Sequence, residues 1–166
     1  MSADESTGFL LQSLTEAGIE FIVVGMTAGV LLGVPAVTQD VDIVHRRTAD
    51  NVERLLHWLL SHNAYHRLDL AGRRLPPTRE ALLGTGHLNL QTDIGMLDVL
   101  CELSAGAGYE QLVADSVLLD DGSTRIRVLD LPRLIAEKTR VGRPKDRAIL
   151  PLLIATLDEQ KRLRDR

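Results

Sequence analysis

Residues 21–44 read F-I-V-V-G-M-T-A-G-V-L-L-G-V-P-A-V-T-Q-D-V-D-I-V, and their pattern points to a functional site. An apolar run ends at Gly25, small residues follow, and a second apolar run carries Asp40 and Asp42 at alternate positions. Alternate residues of a strand face the same side, so this pattern predicts two adjacent carboxylates on one strand face. Such a pair is unfavourable unless a cation separates its members, and a divalent metal is the usual cation. The stretch therefore indicates a metal-dependent phosphate site.

Length and composition favour one domain. The chain has 166 residues, of which 45% are hydrophobic and 3% aromatic, so its core is built mainly of Leu, Val, Ile and Ala. The lone cysteine, Cys101, excludes an internal disulfide and fits a reducing compartment. No stretch approaches the roughly 20 apolar residues that span a bilayer, and the first residues, M-S-A-D-E-S, are acidic where a signal peptide is basic. We therefore expect a cytoplasmic protein without membrane association.

The charged residues are distributed unevenly. The formal net charge is −4, so the surface as a whole does not favour a polyanion. Residues 138–147 nevertheless contain five basic residues against one acid, Asp146. A second, looser basic group comprises Arg67, Arg73, Arg74 and Arg79. Local basic clusters on an acidic protein favour a nucleotide substrate over a long nucleic acid.

Hydrophobic periodicity and turn residues predict a mixed arrangement of helices and strands. Predicted helices cover residues 7–17, 27–33, a segment behind an N-cap at Thr48, 131–141 and a last stretch to about residue 163. Predicted strands cover residues 19–24, 41–44, 87–91, 96–100, 116–119 and 125–129, and residues 71–80 are predicted to be a mobile loop. The helix after Thr48 is expected to bury Val52, Leu55, Leu56, Leu59 and Leu60. The expected fold is a single α/β (α+β) domain with a mixed sheet, a core over about residues 19–130 and a C-terminal helical part over about 131–163.

Asp98 is a third candidate metal ligand. It lies in the apolar run M-L-D-V-L, as Asp40 and Asp42 lie in theirs, and unpaired carboxylates inside a strand are costly. Three aspartates that converge from neighbouring strands can hold two Mg²⁺ ions, which clamp the attacking and leaving oxygens of a phosphoryl or nucleotidyl transfer. The alternatives are a solvated strand edge or turn for the pair, and an edge-strand acid or salt-bridge partner for Asp98.

Candidate phosphate ligands lie in the first glycine turn and near the start of the last helix. Gly25 ends a strand at a turn into a helix, where backbone N–H groups bind phosphate; a plain strand-to-helix glycine is the alternative. Lys138 lies on the buried stripe of its helix, so it either reaches the rim or points into a polar pocket for a triphosphate. Arg143 and Lys145 could neutralise the same phosphates, with a solvated face as the alternative for Lys145. Asp146 either caps the last helix or pairs with Lys138 or Arg143.

The histidines and the cysteine indicate less. His57, His62 and His66 are not spaced to share one helix face for a zinc site, so we expect them at the surface. His87 is the one histidine expected near the aspartates. Cys101 is expected in the core, and the spacing reveals no Ser-His-Asp or Cys-His arrangement.

Taken together, these motifs resemble a known superfamily. V-V-G-M-x13-D-V-D, followed by the isolated strand aspartate Asp98, resembles the nucleotidyltransferases that share the DNA polymerase β palm. The fuller pattern V-G-x-x-A-x-x-x-x-G-x-P-x-x-T-x-D-x-D and the later I-A-x-K-x-x-x-G-R-P-K-D are most similar to small bacterial nucleotidyltransferases related to abortive-infection toxins. The resemblance extends over roughly residues 19–153, and it implies the mixed-sheet nucleotidyltransferase fold.

The resemblance also implies roles for individual residues. It assigns the β- and γ-phosphates to Gly25, Met26 and Thr27, and the metal ions to Asp40, Asp42 and Asp98. It assigns the triphosphate to Lys138, Arg143 and Lys145, and activation of the acceptor hydroxyl to Asp98. The family usually has Gly or Ser where this chain has Met26, whose side chain donates no hydrogen bond to phosphate. The Thr27 hydroxyl is therefore the candidate to replace that contact.

The resulting expectation is a Mg²⁺- or Mn²⁺-dependent nucleotidyltransferase that moves a nucleoside monophosphate from an NTP to a hydroxyl and releases pyrophosphate. The acceptor could be an RNA end, a protein or a small molecule, and the resemblance implies an antitoxin-like partner. One alternative, suggested by Met26, is a non-catalytic nucleotide- or partner-binding module with a degenerate form of the fold. Another is a metal-dependent phosphohydrolase with water as the nucleophile.

Overall fold

A computed structural model describes the backbone of residues 3–166 and the side chains of residues 5–166. The helices are α1 Ala3–Glu16, α2 Gly25–Leu31, α3 Ala49–Ser61, α4 Arg79–Leu83, α5 Tyr109–Leu112, α6 Leu131–Val141 and α7 Pro144–Arg164. The strands are β1 Phe21–Val23, β2 Asp40–His45, β3 Tyr65–His66, β4 His87–Gln91, β5 Met96–Leu100, β6 Ser116–Asp120 and β7 Arg125–Leu129. Short 3₁₀ turns at Ser104–Gly106 and Val113–Asp115 flank α5.

The strands form one mixed sheet, which over the described residues has seven strands in the order β3-β4-β5-β2-β1-β7-β6. β1 pairs antiparallel with β2 and parallel with β7, while β2 pairs parallel with β5. The predicted mixed sheet is therefore confirmed. The ladder between β2 and β5 places Asp42 directly opposite Asp98. Because side chains alternate along a strand, Asp40, Asp42 and Asp98 share one face at the centre of the sheet.

The opposite face of the same strands belongs to the hydrophobic core. Val41 and Ile43 on β2, and Leu97 on β5, are at most 2% exposed. α1 lies on this side, since its residue Leu10 lines a cleft together with Val41. Burial of one such side chain stabilises the fold by roughly 1.5–3 kcal/mol. A slip of one residue would turn the aspartates into this core, so burial of the apolar face also fixes the register of the acidic one.

α3 follows its sequence signals with one error. The Thr48 hydroxyl accepts a hydrogen bond from the backbone N–H of Asn51, which confirms the predicted N-cap. As predicted, the helix buries Val52, Leu55 and Leu59. Leu60 was predicted to be buried and is 50% exposed, and Leu56 is only partly buried, whereas Trp58 lies in the core. Each residue turns the helix by about 100°, so a stripe through residues 55 and 59 also covers 58 and leaves 60 outside.

Three other sequence predictions need correction. α2 begins at Gly25 instead of Thr27, because Gly25 adopts a φ of +60° and lets the chain turn directly out of β1. Residues 71–80 were predicted to be a loop, but their last residues begin α4, whose N-cap is Thr78. The two-residue strand β3 was not predicted, and it joins the sheet by pairing with β4. Elements this short contain too few residues to show a hydrophobic period.

A tight turn joins the last two helices. α6 spans the predicted residues and begins at the predicted N-cap Asp130, whose carboxylate accepts from the Arg133 N–H at 2.8 Å. It ends at Gly142, which adopts the left-handed φ of +63° common after helices. α7 starts immediately afterwards at Pro144, so the C-terminal turn of α6 faces the first turn of α7. Across residues 3–166, no helix combines enough length with enough apolar composition to cross a lipid bilayer.

Candidate active site

The acidic face of the sheet carries the three aspartates singled out in the sequence. Asp42 on β2 and Asp98 on β5 are register partners in a parallel ladder, and Asp40 lies two residues before Asp42 on the same face. Asn89 on β4 is the antiparallel partner of Asp98, so polar side chains continue across the next strand. The structure thus brings Asp40, Asp42 and Asp98 together, as their alternation within apolar strands predicts.

Arg67 lies between two of these carboxylates, and sequence reasoning missed it. Its guanidinium forms a close ion pair from Nη1 to Asp98 Oδ1, and Nη2 donates to Asp98 Oδ2 and to Asp40 Oδ2, each at 3.2 Å. Arg67 follows β3 directly and is held there by its backbone N–H, which donates to the Asn89 carbonyl at 3.0 Å. The hydrogen bond to Asp98 and the neighbouring negative charges raise the pKa of Arg67 further. A guanidinium is therefore the resident counter-ion of Asp40 and Asp98.

Asp42 has a different environment from the other two aspartates. Burial, reinforced by repulsion from Asp98 and Asp40, raises the pKa of Asp42 to about 7, and attraction to Lys138 and Arg67 offsets only part of this rise. In the described part of the chain, no side chain donates a hydrogen bond to the Asp42 carboxyl group, while Arg67 donates to the other two. The acidic face thus contains more negative charge than its one arginine neutralises.

Two features require glycine at position 25: the nearby Asp42 side chain and the positive φ of its own backbone. A Cβ added at Gly25 would lie 3.0 Å from Asp42 Cγ, which is tighter than most contacts of this kind, and closer to Asp42 Oδ2 than a Cβ approaches an oxygen in proteins. The φ of +60° adds strain for any residue with a Cβ. Gly25 lines the cavity described below, so the position predicted to admit a phosphate also admits the Asp42 carboxylate.

Thr27 acts on β2 and not on the cavity. Its side chain is buried, and its hydroxyl donates to the Asp40 carbonyl at 2.8 Å and lies 3.4 Å from the Asp42 amide nitrogen. This placement contradicts the sequence prediction that the Thr27 hydroxyl contacts phosphate, because both hydrogen bonds are made to the strand backbone. Thr27 instead braces the segment that carries both aspartates. Met26, in contrast, lines the cavity.

A second charged cluster joins α6 to α7. Asp146 is fully buried; it accepts from Lys138 Nζ at 3.0 Å and from Arg143 Nε at 2.6 Å. It also accepts from the Arg143 backbone N–H at 3.2 Å, so both predicted roles of Asp146, helix cap and ion-pair partner, are confirmed. The hydrogen bonds from Arg143 and Lys138 hold the pKa of Asp146 well below its usual range. One acid therefore positions two cations.

Both clusters line the same cavity. Its volume is about 780 Å³. Its walls include the three aspartates with Arg67, the cluster around Asp146, the exposed Lys145, and Gly25 and Met26 at the start of α2. His87 also lines it, as predicted, and its Nε2 lies 3.2 Å from the Glu102 carbonyl. Apolar side chains complete the walls, among them Leu100, Leu103, Leu129, Leu134 and Ile149. A partly apolar cleft with a few charged groups is typical of a small-molecule site.

The three aspartates fit a divalent cation by chemistry but not by their present arrangement. Carboxylate oxygens are the donors that Mg²⁺ and Mn²⁺ prefer. Among the side chains of residues 5–166, however, no group of three or more His, Cys, Asp or Glu is arranged to hold a metal ion. Arg67 is bonded to two of the three aspartates, so as it stands the face is a guanidinium site with one further, unpaired carboxyl group.

Comparison with known proteins shows the fold and nothing finer. No protein-family model matches the sequence, and neither does any curated protein. Among solved structures, an antigenic nucleotidyltransferase-like protein from Paracoccidioides brasiliensis superposes with a TM-score of 0.58, covering 95% of this chain and 78% of the other. The fold is nucleotidyltransferase-like. At 18% identity the likeness extends to the architecture alone, and a relationship to abortive-infection toxins is not shown by it.

Proposed function

We propose that this protein is a metal-dependent nucleotidyltransferase, which binds an NTP and transfers its nucleoside monophosphate to a hydroxyl with release of pyrophosphate. One observation carries the proposal: a single cavity in a nucleotidyltransferase-like fold has an acidic wall and a basic wall. A metal–nucleotide complex has the matching polarity, with a divalent cation at one end and phosphate oxygens around it.

On the acidic wall, Asp40, Asp42 and Asp98 are the proposed metal ligands. When bound, Mg²⁺ or Mn²⁺ would supply Lewis-acid stabilisation of the charge that develops on the transferred phosphoryl group. The strand ladder holds Asp42 opposite Asp98, and Thr27 braces the backbone of β2, so the backbone that carries these carboxylates is fixed before any ligand binds. Asp98 is the proposed acceptor of the hydroxyl proton.

On the basic wall, Lys138 and Arg143 are the proposed triphosphate ligands, with Lys145 adding charge at the exposed rim. Asp146 neutralises only one of the two paired cations, so the cluster keeps one positive charge for an anionic ligand. The Arg143 side chain is 54% exposed and lines the cavity. The backbone at Gly25 allows close approach of a phosphate, while Met26 contributes an apolar contact.

A second candidate is a nucleotide-binding module without transferase activity. The observation that favours it is the set of contacts that occupy the site: Arg67 bridges Asp40 and Asp98, and the Thr27 hydroxyl is bonded to the backbone of β2. A site fixed in this form would bind an anion on the basic wall and take no metal. Nucleotide binding that does not depend on divalent cations would identify it.

The test is transfer of label from each of the four α-³²P-labelled NTPs, with Mg²⁺ or Mn²⁺, into a cell lysate that is then resolved by nuclease and protease digestion. Asp42→Asn is the site variant, and Asp158→Asn, which alters an exposed acid on α7, is its matched control. Loss of a metal-ligand carboxylate is expected to lower the transfer rate by at least about 100-fold, because weaker, outer-shell changes already cost roughly 10- to 100-fold. The control is expected to match the wild type.

The outcomes separate the candidates. Label that enters RNA, protein or a small molecule, and disappears in Asp42→Asn alone, supports the transferase and names the acceptor class. Release of labelled NMP without incorporation would indicate the phosphohydrolase instead. A folded wild type that transfers no label from any NTP contradicts the proposal and favours the binding module. The antitoxin-like partner implied by the sequence resemblance would be sought as a protein that suppresses the transfer.

A further inference from the structure

Arg67 occupies oxygen atoms that a divalent cation would need. Its forked guanidinium uses both carboxylate oxygens of Asp98 and one of Asp40. The side chains of Arg67 and Asp98 are 17% and 13% exposed, so water screens this contact only in part. A fork that matches a carboxylate in this way is the strong form of an ion pair. Asp40 and Asp98 are therefore not free ligands.

The backbone of Arg67 is fixed, whereas its guanidinium is held, apart from the two aspartates, by a hydrogen bond that Nη1 donates to the Leu90 carbonyl at 3.3 Å. The Arg67 N–H donates to the Asn89 carbonyl of β4, which ties this segment to the sheet edge, and the neighbouring His66 N–H donates to the carbonyl of Leu75 in the following loop at 2.9 Å. The guanidinium lines the 780 Å³ cavity, and a flexible stem of three methylene groups connects it to the backbone. A rotation of the side chain can thus release both aspartates without detaching β3.

A guanidinium and a divalent cation compete for these oxygens. Arg67 already bonds both oxygens of Asp98 and one of Asp40, and two cations at the same carboxylates repel each other. We infer that Arg67 is a displaceable internal counter-ion, which competes with divalent metal for Asp40 and Asp98 and moves off them when the metal binds. This inference rests on the metal dependence in the proposed function. It explains how the like-charged, partly exposed Asp40 and Asp98 are kept together in the metal-free protein.

The experiment is calorimetric titration of Mn²⁺ alone into metal-free wild type, Arg67→Gln, Arg67→Lys and Arg73→Gln. Arg73→Gln is the matched control, because Arg73 is paired with Asp69 on the surface and does not contact the three aspartates. Arg67→Gln removes the competitor, so Mn²⁺ is expected to bind roughly tenfold more tightly than to the wild type. Arg67→Lys keeps the charge without the fork and is expected to fall between the two.

A second readout is thermal unfolding with and without Mn²⁺. In EDTA, Arg67→Gln is expected to unfold at a lower temperature than the wild type, because its aspartates repel each other without a counter-ion. Added Mn²⁺ is expected to raise that temperature more in Arg67→Gln than in the wild type. A purely structural role for Arg67 would give the first effect without the second.

Unchanged or weaker Mn²⁺ binding by Arg67→Gln, with wild-type binding intact, would overturn the inference and leave the proposed function standing. Should Arg67→Gln fail to fold, Arg67→Lys decides, and affinity equal to that of the wild type again overturns the inference. Absence of Mn²⁺ binding by every variant contradicts both. Tighter binding by Arg67→Gln without nucleotide transfer by the wild type supports the inference and contradicts the proposed function alone.

Discussion

The two charged clusters that face the cavity are built in opposite ways. On the acidic wall, two of three carboxylates, Asp40 and Asp98, share one guanidinium; on the basic wall, Lys138 and Arg143 share one carboxylate, Asp146. Each cluster contains its own counter-ion. The acidic cluster keeps a surplus of negative charge, and the basic cluster keeps a surplus of positive charge. The acidic cluster joins two strands, β2 and β5, to one residue after β3, whereas the basic one spans a single tight turn between α6 and α7.

The two clusters differ in how deeply the counter-ion is buried, and this counter-ion is Asp146 in the basic cluster and Arg67 in the acidic one. Asp146 is fully buried, so its two ion pairs belong to the structural framework. The Arg67 side chain is 17% exposed and has a flexible stem, so its ion pairs are open to exchange. The fully buried Asp146 therefore holds its ion pairs fixed, whereas the partly exposed Arg67 can exchange its ion pairs for other contacts. Ligand chemistry is therefore expected to act on the acidic wall while the basic wall keeps its geometry.

The largest expected effect comes from breaking the basic cluster at its hub. Asp146→Asn leaves Lys138 and Arg143 without a carboxylate, and removal of one partner from a buried ion pair costs about 3–5 kcal/mol of stability. Urea unfolding of both proteins at pH 7 measures the loss. Arg143→Gln is the control, and it is expected to cost less than about 1 kcal/mol, because the Arg143 side chain is half exposed. Equal losses for the two variants would show that Asp146 is not the hub.

The next effect is a dependence of stability on pH, which we expect from Asp42 on the acidic wall. The pKa of Asp42 is raised to about 7, above its unfolded value, so the folded state holds a proton that the unfolded state has released. This stabilisation is complete below about pH 4 and is lost as the pH rises through 7, by roughly 2–3 kcal/mol between pH 5 and 8. Urea unfolding of the metal-free protein across this range measures it. The same decline in Asp42→Asn would contradict the assignment, because that side chain carries no titrating proton.

The smallest effect isolates the contact between Gly25 and Asp42. Gly25 and Gly72 have nearly the same φ, +60° and +62°, but a Cβ at Gly72 would meet no atom within 4 Å. Alanine at either position introduces backbone strain of about 1 kcal/mol. Gly25→Ala is expected to cost about 1–2 kcal/mol more, since it also displaces Asp42. Chemical unfolding measures the loss of stability for each alanine variant. When Gly25→Ala is made in an Asp42→Gly background, its additional loss relative to Gly72→Ala is expected to disappear. Equal losses for the two alanine variants in the wild-type background would exclude the contact.

Much of the acidic wall could be predicted because strands have a period of two. Asp40, Asp42 and Asp98 each lie in a short apolar run, and alternation alone determines which face they share. The bounds of β4, β5, β7 and α6 were likewise correct, since these elements combine clear patterns with turn or cap residues. Lys138 was noticed for the same reason, as a charge on an otherwise apolar helix stripe. Patterns of neighbouring residues were sufficient to predict those features that depend on neighbouring residues alone.

Arg67 could not be predicted, because nothing near it in the sequence marks its role. It follows a two-residue edge strand and meets Asp98 from 31 residues away, so only the sheet order brings them together. The Thr27 hydroxyl was misassigned for a related reason: its bond to the Asp40 carbonyl is a tertiary contact. α4 did leave a signal, the N-cap Thr78 with Glu80 in the first turn, which the two preceding prolines obscured.

The direct pairing of Asp42 with Asp98 has a consequence for how this chain can tolerate insertions. The spacing between the two carboxylates is set by backbone hydrogen bonds of one ladder, and not by the segments that lead into it. Lengthening a surface segment costs little, about 0.6 kcal/mol for each doubling. Residues 70–74, an exposed segment that lies between β2 and β5 in the chain, can therefore gain or lose residues while the carboxylates keep their separation. One residue inserted inside β2 would instead move the two carboxylates to opposite sides of the sheet.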